Sequence, residues 1–519
     1  MGYIEGIHRD QVGFWSFEDM VGEESMVRVI DRFVDILDLK QKGFTRIEPK
    51  DTGRPGYSPK PLVKLLVYGY ENGIRASRKL EAECKRNVEV MWLMDGLKPV
   101  HKTIAEFRRM NIRPLQKLFR EFVVLCRTWD MVGGEVFAID GTKIKASNNK
   151  KNIFSKEKLE ERIERIDKKV EEWFSGAEAE DTEDDEAERK DSTEEDVLAG
   201  LMERKALYEQ HLAGLEETGQ SEVSLVDPDA RLMATNRGGV DAAYNVQSTV
   251  DAKHHLVVDF DVSMSAADLG QLDNMVKRLI RLGYRKFTTL EDKGYYKGAD
   301  LEKCEKRKVL AIGARQAPPS PKGRPKRFAV DRFSYDKTTD TYQCPEGAVL
   351  SSVSAKDTKQ RKYLNKEACS KCAHVATCTG GEDKHRFILR GEYADVYDRA
   401  DQTFKDNPEL YALRQQTVEH PFGTVKRTQD GYYFLLRTRR KVRCEVALML
   451  LGYNLKRAVK ELGFKEIMAR LDGLAYCFSQ HMPWKKGSAG RNLRLLLRNR
   501  SPLGQFCGMS RIGSPQTAT

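Results

Sequence analysis

Long hydrophobic runs are lacking in this sequence of 519 residues. The strongest apolar run near the C-terminus, Ala447 to Tyr453, is far shorter than the ~20 residues that a membrane-spanning helix needs. Met1 to Asp10 has no apolar core of the kind found in signal peptides. A glycine-rich phosphate loop of the Walker type is also missing, so use of ATP is not indicated. We therefore expect a soluble, cytoplasmic protein with no membrane partner.

Acidic residues are outnumbered by basic ones, 78 against 89, which gives a formal net charge of +11. A basic excess favours an anionic partner, and nucleic acid is the commonest one. Composition alone leaves this open, because many basic proteins bind no DNA. The 10 cysteines are not expected to form a disulfide framework in a reducing compartment. A cluster among them is better interpreted as a metal site.

The length predicts roughly three domains at about 150 residues each. Residues 1–132 contain helical patterns, for example the 4-3-4 spacing of Met26, Ile30, Phe33 and Leu37 along one face. We predict a helical N-terminal domain over this range. Residues 133–465 are predicted to form an α/β domain, and residues 466–519 a basic, largely disordered tail.

Strand and helix signals alternate within residues 133–465. The pattern predicts strands at Val136–Ile139, Tyr244–Val250, Leu256–Val262 and Lys286–Glu291. It predicts one helix, Asp268–Leu282, before the last of these strands. The order strand–strand–strand–helix–strand predicts a mixed sheet with flanking helices.

Two insertions interrupt this pattern. The first, about residues 150–225, has two helical stripes separated by an acidic stretch, and it predicts a helical hairpin with a disordered tip. It is either a solvated spacer or an oligomerisation arm. The second, about residues 313–392, contains clustered cysteines.

Two aspartates end predicted strands: Asp140 follows the first strand and Asp292 follows the last. Two carboxylates brought together repel each other unless a cation lies between them, and hard oxygen ligands suit Mg²⁺ or Mn²⁺. A third carboxylate from a helix would complete a site for two metals that act on a phosphodiester. A single aspartate at a strand end is, however, more often a turn or cap residue.

The residues around these aspartates resemble the catalytic blocks of DDE transposases, the RNase H-like enzymes of bacterial insertion sequences. The three blocks are Asp140-Gly141-Thr142-Lys143, Asp292-Lys293-Gly294-Tyr295-Tyr296 and Val418-Glu419-His420-Pro421-Phe422-Gly423-Thr424-Val425-Lys426. N-terminal segments such as Thr103-Ile104-Ala105-Glu106-Phe107-Arg108 are similar to the helical domain of these proteins. The resemblance covers roughly residues 20 to 465. It is greatest to the eleven-eighty-two group of the insertion-sequence-five superfamily.

This resemblance implies an RNase H-like mixed five-stranded sheet whose catalytic triad is Asp140, Asp292 and Glu419. The triad would hold two Mg²⁺ (or Mn²⁺) ions, and Lys426 would contact DNA. The family signature also has an Arg four residues before the Glu and a Tyr three before that Arg. Here Gln415 occupies the Arg position, and Tyr411 and Arg414 each lie one residue early.

The implied function is transposition: hydrolysis at the ends of the element, followed by attack of the freed 3′-OH on target DNA. The implied partners are double-stranded DNA, as terminal inverted repeats and as target, and a second copy of the chain in a homodimer or larger assembly. The protein would then associate with the bacterial nucleoid. The rivals are an RNase H-like nuclease without strand transfer and a transposase-derived protein that only binds DNA.

Four cysteines, Cys344, Cys369, Cys372 and Cys378, form a candidate structural zinc site. His374 or His385 is an alternative ligand to an outer cysteine. The competing interpretation is a set of reduced thiols within an insertion.

Helices over residues 77–85 and 103–110 are interpreted as a helix-turn-helix that contacts the terminal repeats. The predicted DNA contacts are Arg75, Arg78, Lys79, Lys102, Arg108 and Arg109. A solvated basic face is the alternative.

Overall fold

The structure is a computed structural model, and it describes residues 14–48, 55–180, 194–219, 221–235, 239–316, 328–355, 358–379 and 385–480. Across these ranges, none of the helices combines the length and apolar character needed to cross a membrane.

Helices fill the N-terminal part of the described chain. They are α1 (Phe17–Met20), α2 (Met26–Asp35), α3 (Leu39–Lys42), α4 (Pro59–Glu71), α5 (Ser77–Arg86), α6 (Val88–Leu93), α7 (His101–Met110) and α8 (Ile112–Thr128). Helix α2 shows why they form. Ser25 caps its first turn by accepting a hydrogen bond from the Val27 backbone N–H, and Ile30 and Phe33 bury one face.

The middle of the chain alternates strands and helices. Its elements are β1 (Val136–Lys145), β2 (Ile153–Ser155), α9 (Lys156–Glu180), α10 (Glu194–Thr218), β3 (Glu222–Ser224), β4 (Arg231–Thr235), β5 (Gly239–Asp251), β6 (Val257–Ser263), α11 (Leu272–Arg281), β7 (Thr288–Glu291), α12 (Gly298–Lys306) and β8 (Leu310–Gly313). Helices α9 and α10 run antiparallel. Lys156, at the start of α9, pairs with Glu216 near the end of α10, and Asp167 of α9 pairs with Lys205 of α10.

A small sheet and six helices complete the described chain. They are β9 (Ser334–Asp336), β10 (Thr341–Gln343), β11 (Val349–Ser352), β12 (Gln360–Leu364), α13 (Lys366–Ser370), α14 (Val375–Thr379), β13 (Phe387–Gly391), α15 (Ala394–Asp406), α16 (Pro408–Thr428), α17 (Arg439–Leu462) and α18 (Phe464–Gln480). The small sheet is antiparallel in the order β13-β12-β11-β10-β9.

The large sheet is mixed and runs β4-β5-β1-β7-β8, with β6 paired to β5 beside β4. Strands β1, β5 and β6 pair antiparallel, whereas β1, β7 and β8 pair parallel. The predicted mixed α/β fold is confirmed. The predicted number of five strands is wrong within the described chain, because β5 is long enough to pair with β4 along residues 239–243 and with β6 along residues 245–250.

One continuous apolar core joins the N-terminal helices to the large sheet, with members from Val21 to Leu471. Helix α17 lies at its centre and contacts α4, α8 and β6. Helix α18 adds Ile467 and Leu471, both fully buried. The prediction of a disordered tail from residue 466 is therefore wrong as far as Gln480. Its basic remainder lies outside the described residues.

Candidate active site

Asp140 lies within β1, which continues beyond it to Lys145. Side chains alternate between the two faces of a strand, so Asp140 shares a face with Ala138. On this face Ala138, Leu290 and Ile312 form a buried cluster with Val418 of α16. Asp140 therefore projects from the side of the sheet that α16 covers.

Asp292 follows β7, the parallel neighbour of β1, in which Ile139 is paired with Glu291. It lies two residues after Leu290, so its side chain is directed to the same face as that of Asp140. Its Oδ1 accepts a hydrogen bond of 2.7 Å from the Gly294 backbone N–H, which fixes the carboxylate at the start of a short turn.

Electrostatics link the two aspartates. The pKa of Asp140 is raised to about 6, mainly by burial. The Gly141 N–H and the charge of Arg414 oppose this shift, and the charges of Asp292 and Asp268 add to it. Asp140 thus lies among acidic neighbours in a partly desolvated position, where a bound cation would be favourable.

Glu419 comes from α16, which begins at Pro408 after the N-cap Asn407. Its Oε1 accepts a hydrogen bond of 2.9 Å from Nε2 of Gln415. The residue at the position of the signature Arg therefore contacts the candidate catalytic carboxylate. Arg414, one residue earlier, contributes its charge to Asp140.

One cavity of about 870 Å³ brings Asp140 and Glu419 together. Lys426 lies in the same wall, and its Nζ donates a hydrogen bond of 2.5 Å to Oγ1 of Thr142, two residues after Asp140. Lys145 and Arg427 add positive charge to this cavity. The basic side chains of this cavity would attract an anionic polymer towards the carboxylates.

The donor atoms of Asp140, Asp292 and Glu419 are hard oxygens of the kind that Mg²⁺ and Mn²⁺ prefer. The mutual repulsion at Asp140 is a second reason for a cation to bind there. Nevertheless, the described residues contain no group of three or more His, Cys, Asp or Glu side chains already arranged around a metal position. Asp140 and Glu419 line the same cavity, whereas Asp292 is not among its lining residues, so the three-carboxylate metal site stays a prediction.

Asp268, in the loop before α11, was not predicted from the sequence and lies beside both aspartates. Its Oδ1 accepts hydrogen bonds of 2.7 Å from Asn245 and Gln247, and its Oδ2 pairs with Lys143 at 2.9 Å. A Cβ at Gly141 would lie 2.5 Å from Asp268 Oδ1, so a larger residue after Asp140 would displace this hydrogen-bonded carboxylate. The motif Tyr244-Asn245-Val246-Gln247 was the available signal, because two of its members hold this carboxylate.

The four cysteines of the candidate zinc site line one cavity of about 380 Å³ beside the small sheet, together with His374. Cys344 begins the turn between β10 and β11, whereas Cys369, Cys372 and Cys378 belong to α13, α14 and their connection. No disulfide joins these four described residues. The fold brings them to one place without the three-ligand geometry of a metal site.

The predicted DNA contacts divide into two groups. Arg78, Lys79, Lys102 and Arg109 are exposed. Arg75 and Arg108 are only 2% and 7% exposed, so the prediction that they contact DNA is wrong. Arg108 donates to the Arg75 carbonyl at 2.9 Å, and Arg75 binds the backbone near residue 430. Both guanidiniums satisfy internal acceptors.

The helix-turn-helix interpretation also needs correction. Helix α6 lies between α5 and α7, so the two helices are not joined by the 3–4-residue turn that this motif requires. They still contact each other. Their exposed basic residues therefore form a surface without the predicted motif.

Two known families match parts of this chain. Residues 15–110 match a family described as "Transposase domain (DUF772)". Residues 343–459 match one described as "Transposase DDE domain". The chain is therefore similar to transposases over these two segments. The resemblance to transposases of insertion-sequence type is thereby confirmed, whereas the superfamily and group stay a prediction. The second match contains Glu419 and Lys426, but Asp140 and Asp292 lie outside both matches.

Comparison with curated proteins finds no match for this chain. Among solved structures it is similar to the cryo-EM structure of a piggyBac transposase synaptic complex with hairpin DNA, at 8% identity over 92% of this chain and 86% of that one. The TM-score is 0.25, which is too low to support an argument from that structure.

Proposed function

We propose that the protein is a DNA transposase that cleaves DNA at the ends of an insertion sequence and joins the freed 3′-OH to target DNA. The observation that carries this proposal is the shared cavity, lined by Asp140 of β1 and by Glu419 and Lys426 of α16. Asp292 is near enough to raise the pKa of Asp140. This arrangement occurs in a chain with two transposase domains.

The strand order supports an RNase H-like core. Without β4, the strands of the large sheet lie side by side in the order β6-β5-β1-β7-β8. When these five strands are numbered by their position in the chain, this order is 3-2-1-4-5. The first three pair antiparallel, and the last two extend the sheet in parallel. In this proposal Asp140 belongs to the first of these strands and Asp292 follows the fourth. The carboxylates then meet on the face covered by α16.

Each residue has a proposed role. Asp140 and Asp292 would hold divalent cations, and Glu419 would complete their ligands. When bound, such ions supply Lewis-acid activation of the phosphodiester and of the attacking oxygen. Lys426, fixed against Thr142, would pair with a phosphate and hold the scissile strand in the cavity.

Metal affinity is predicted to depend on pH, because a carboxylate must lose its proton to bind a metal. The pKa of Asp140 is about 6, so its proton competes with the metal below that value. We expect the Mn²⁺ affinity to fall about tenfold for each pH unit below about 6 and to level off above about 7. Electron paramagnetic resonance of free Mn²⁺ measures this directly. An affinity that is constant from pH 5 to 8 would contradict the assignment of Asp140.

Cleavage and joining are tested together with DNA that carries the ends of the element. With Mg²⁺ we expect nicks at those ends and, with a target plasmid, covalent products joined through the 3′-OH. Nicks without joined products would favour the nuclease alternative. Binding without nicks in Mg²⁺ or Mn²⁺ would favour the DNA-binding alternative. Because joining requires both ends at once, we propose a dimer or larger assembly on DNA.

We also propose that the cavity lined by Cys344, Cys369, Cys372 and Cys378 takes a structural zinc ion after the thiols turn inward. The small sheet has a minor core of its own, and a metal commonly stabilises so small a unit. Metal analysis of the purified protein is expected to find about one zinc per chain. The variant Cys369→Ser/Cys372→Ser should lose it, whereas the buried Cys126→Ser should keep it. A wild type without zinc after refolding with Zn²⁺ would disprove this site.

A further inference from the structure

Residues 430–436, here called the wall segment, connect α16 to α17 and form one side of the active-site cavity. The backbone N–H of Lys145 donates to the Tyr432 carbonyl at 3.2 Å, and that of Phe434 donates to the Lys145 carbonyl at 2.8 Å. The wall segment is thereby attached to the end of β1, the strand that carries Asp140.

A buried ion pair holds the same segment from behind. Arg75 donates to the carbonyls of Tyr433 at 2.7 Å and of Asp430 at 2.5 Å. Glu445, in α17, accepts from the backbone N–H groups of Leu435 at 2.9 Å and Leu436 at 2.7 Å. The two side chains also pair with each other at 3.3 Å.

The Arg75–Glu445 pair is buried although the burial of charges is costly, which indicates a role other than stability alone. Arg75 is 2% exposed and Glu445 is fully buried. Taking two charges out of water is expensive, and apolar side chains of similar volume often give equal or greater stability. Here both partners direct hydrogen bonds to the backbone of one short segment. The pair therefore specifies the position of that segment.

Tyr433 is the residue that the pair presents to the cavity. Tyr433 is one of the residues that line the cavity, and the residue is 40% exposed. The guanidinium of Arg75 lies 4.8 Å from the ring centroid, and the phenol Oη donates to Asp430 Oδ2 at 3.2 Å. A cation therefore lies against this aromatic ring, and Lys145, Lys426 and Arg427 line the same cavity as Tyr433.

We propose that the Arg75–Glu445 pair positions Tyr433 as a stacking surface for an unpaired DNA base in the active-site cavity. This inference rests on the proposed function. Aromatic rings in basic grooves bind single-stranded nucleic acid by stacking, and every base offers a face for it. Arg75 and Glu445 are positioning residues, because they bind the backbone of the wall segment and are not among the residues that line the cavity.

The test measures the binding of two labelled DNA probes by fluorescence anisotropy, with Ca²⁺ in place of Mg²⁺. One probe is fully paired and the other has a single-stranded overhang. Tyr433→Ala is expected to weaken binding of the overhang probe about tenfold and to leave the paired probe unchanged. Tyr433→Phe should bind both probes as the wild type does. Phe387→Ala, which removes an exposed ring from the small sheet, is the matched control.

A double-mutant cycle separates positioning from a general effect on folding. Glu445→Gln is expected to weaken binding of the overhang probe selectively, with no further loss when Tyr433→Ala is added. If Glu445→Gln does not fold, the comparison of Tyr433→Ala with Tyr433→Phe still tests whether the aromatic ring binds the overhang. The proposal is overturned if Tyr433→Ala binds the overhang probe as the wild type does, or if the effects of Glu445→Gln and Tyr433→Ala simply add. Because no cleavage is measured, a failure of this test can be distinguished from a failure of the proposed cleavage and joining.

Discussion

The variant Asp292→Asn is expected to lose Mg²⁺-dependent cleavage by about three orders of magnitude or more, with DNA binding unchanged. Asparagine keeps the oxygen that accepts from the Gly294 N–H, so the turn after β7 should persist. It removes the negative charge that, in our proposal, would hold a cation beside Asp140. Single-turnover cleavage of an end-containing DNA measures the effect.

Asp472→Asn is the matched control for this variant. Asp472 is a half-exposed residue of α18 that pairs with Arg32, so its replacement removes the same charge far from the cavity. We expect cleavage by this control close to the wild-type rate. If Asp292→Asn were to cleave at a rate within about threefold of the wild type, the activation free energy would differ by less than about 1 kcal/mol. Asp292 would then have no catalytic role.

The largest effect on stability is expected from Arg75→Ala, at about 3–5 kcal/mol. The variant leaves Glu445 buried without its charge partner and removes the donors to the Asp430 and Tyr433 carbonyls. Equilibrium unfolding in urea, followed by circular dichroism, measures the loss.

Arg78→Ala, three residues along the chain, is the contrasting variant. Its side chain is exposed at the start of α5, so unfolding should be unaffected. If this surface contacts DNA phosphates, binding weakens and the salt dependence of the binding constant decreases by about one unit of slope. Equal stability of Arg75→Ala and Arg78→Ala would contradict the structural role given to Arg75.

The sequence was informative where local pattern and position in the chain agree. The apolar runs before Asp140 and Asp292 predicted strands, and the sheet pairs those strands side by side. Helix α16, which carries Glu419, contains Pro421 in its interior, a residue whose local pattern disfavours a continuous helix. Proline lacks an N–H, yet α16 continues to Thr428 because Pro421, Phe422 and Val425 are buried. The hydroxyl of Thr424 donates to the His420 carbonyl in the same turn.

The role of Arg75 could not be predicted, because it depends on partners far along the chain. Glu445 is 370 residues away, and the carbonyl of Tyr433 is 358 residues away. An arginine before a basic helix has the same local pattern whether it faces DNA or a buried acid. Asp268 is similar: its hydrogen bonds to Asn245 and Gln247 exist only after β5 pairs with its neighbours.

A crystal of the protein soaked in Mn²⁺ gives the most direct test of the shared-cation site, through anomalous scattering. The account predicts a peak bridging the carboxylates of Asp140 and Asp292, with Glu419 drawn in as a further ligand of the same site. Full occupancy by Mn²⁺ elsewhere, with no peak between these two aspartates, would contradict it.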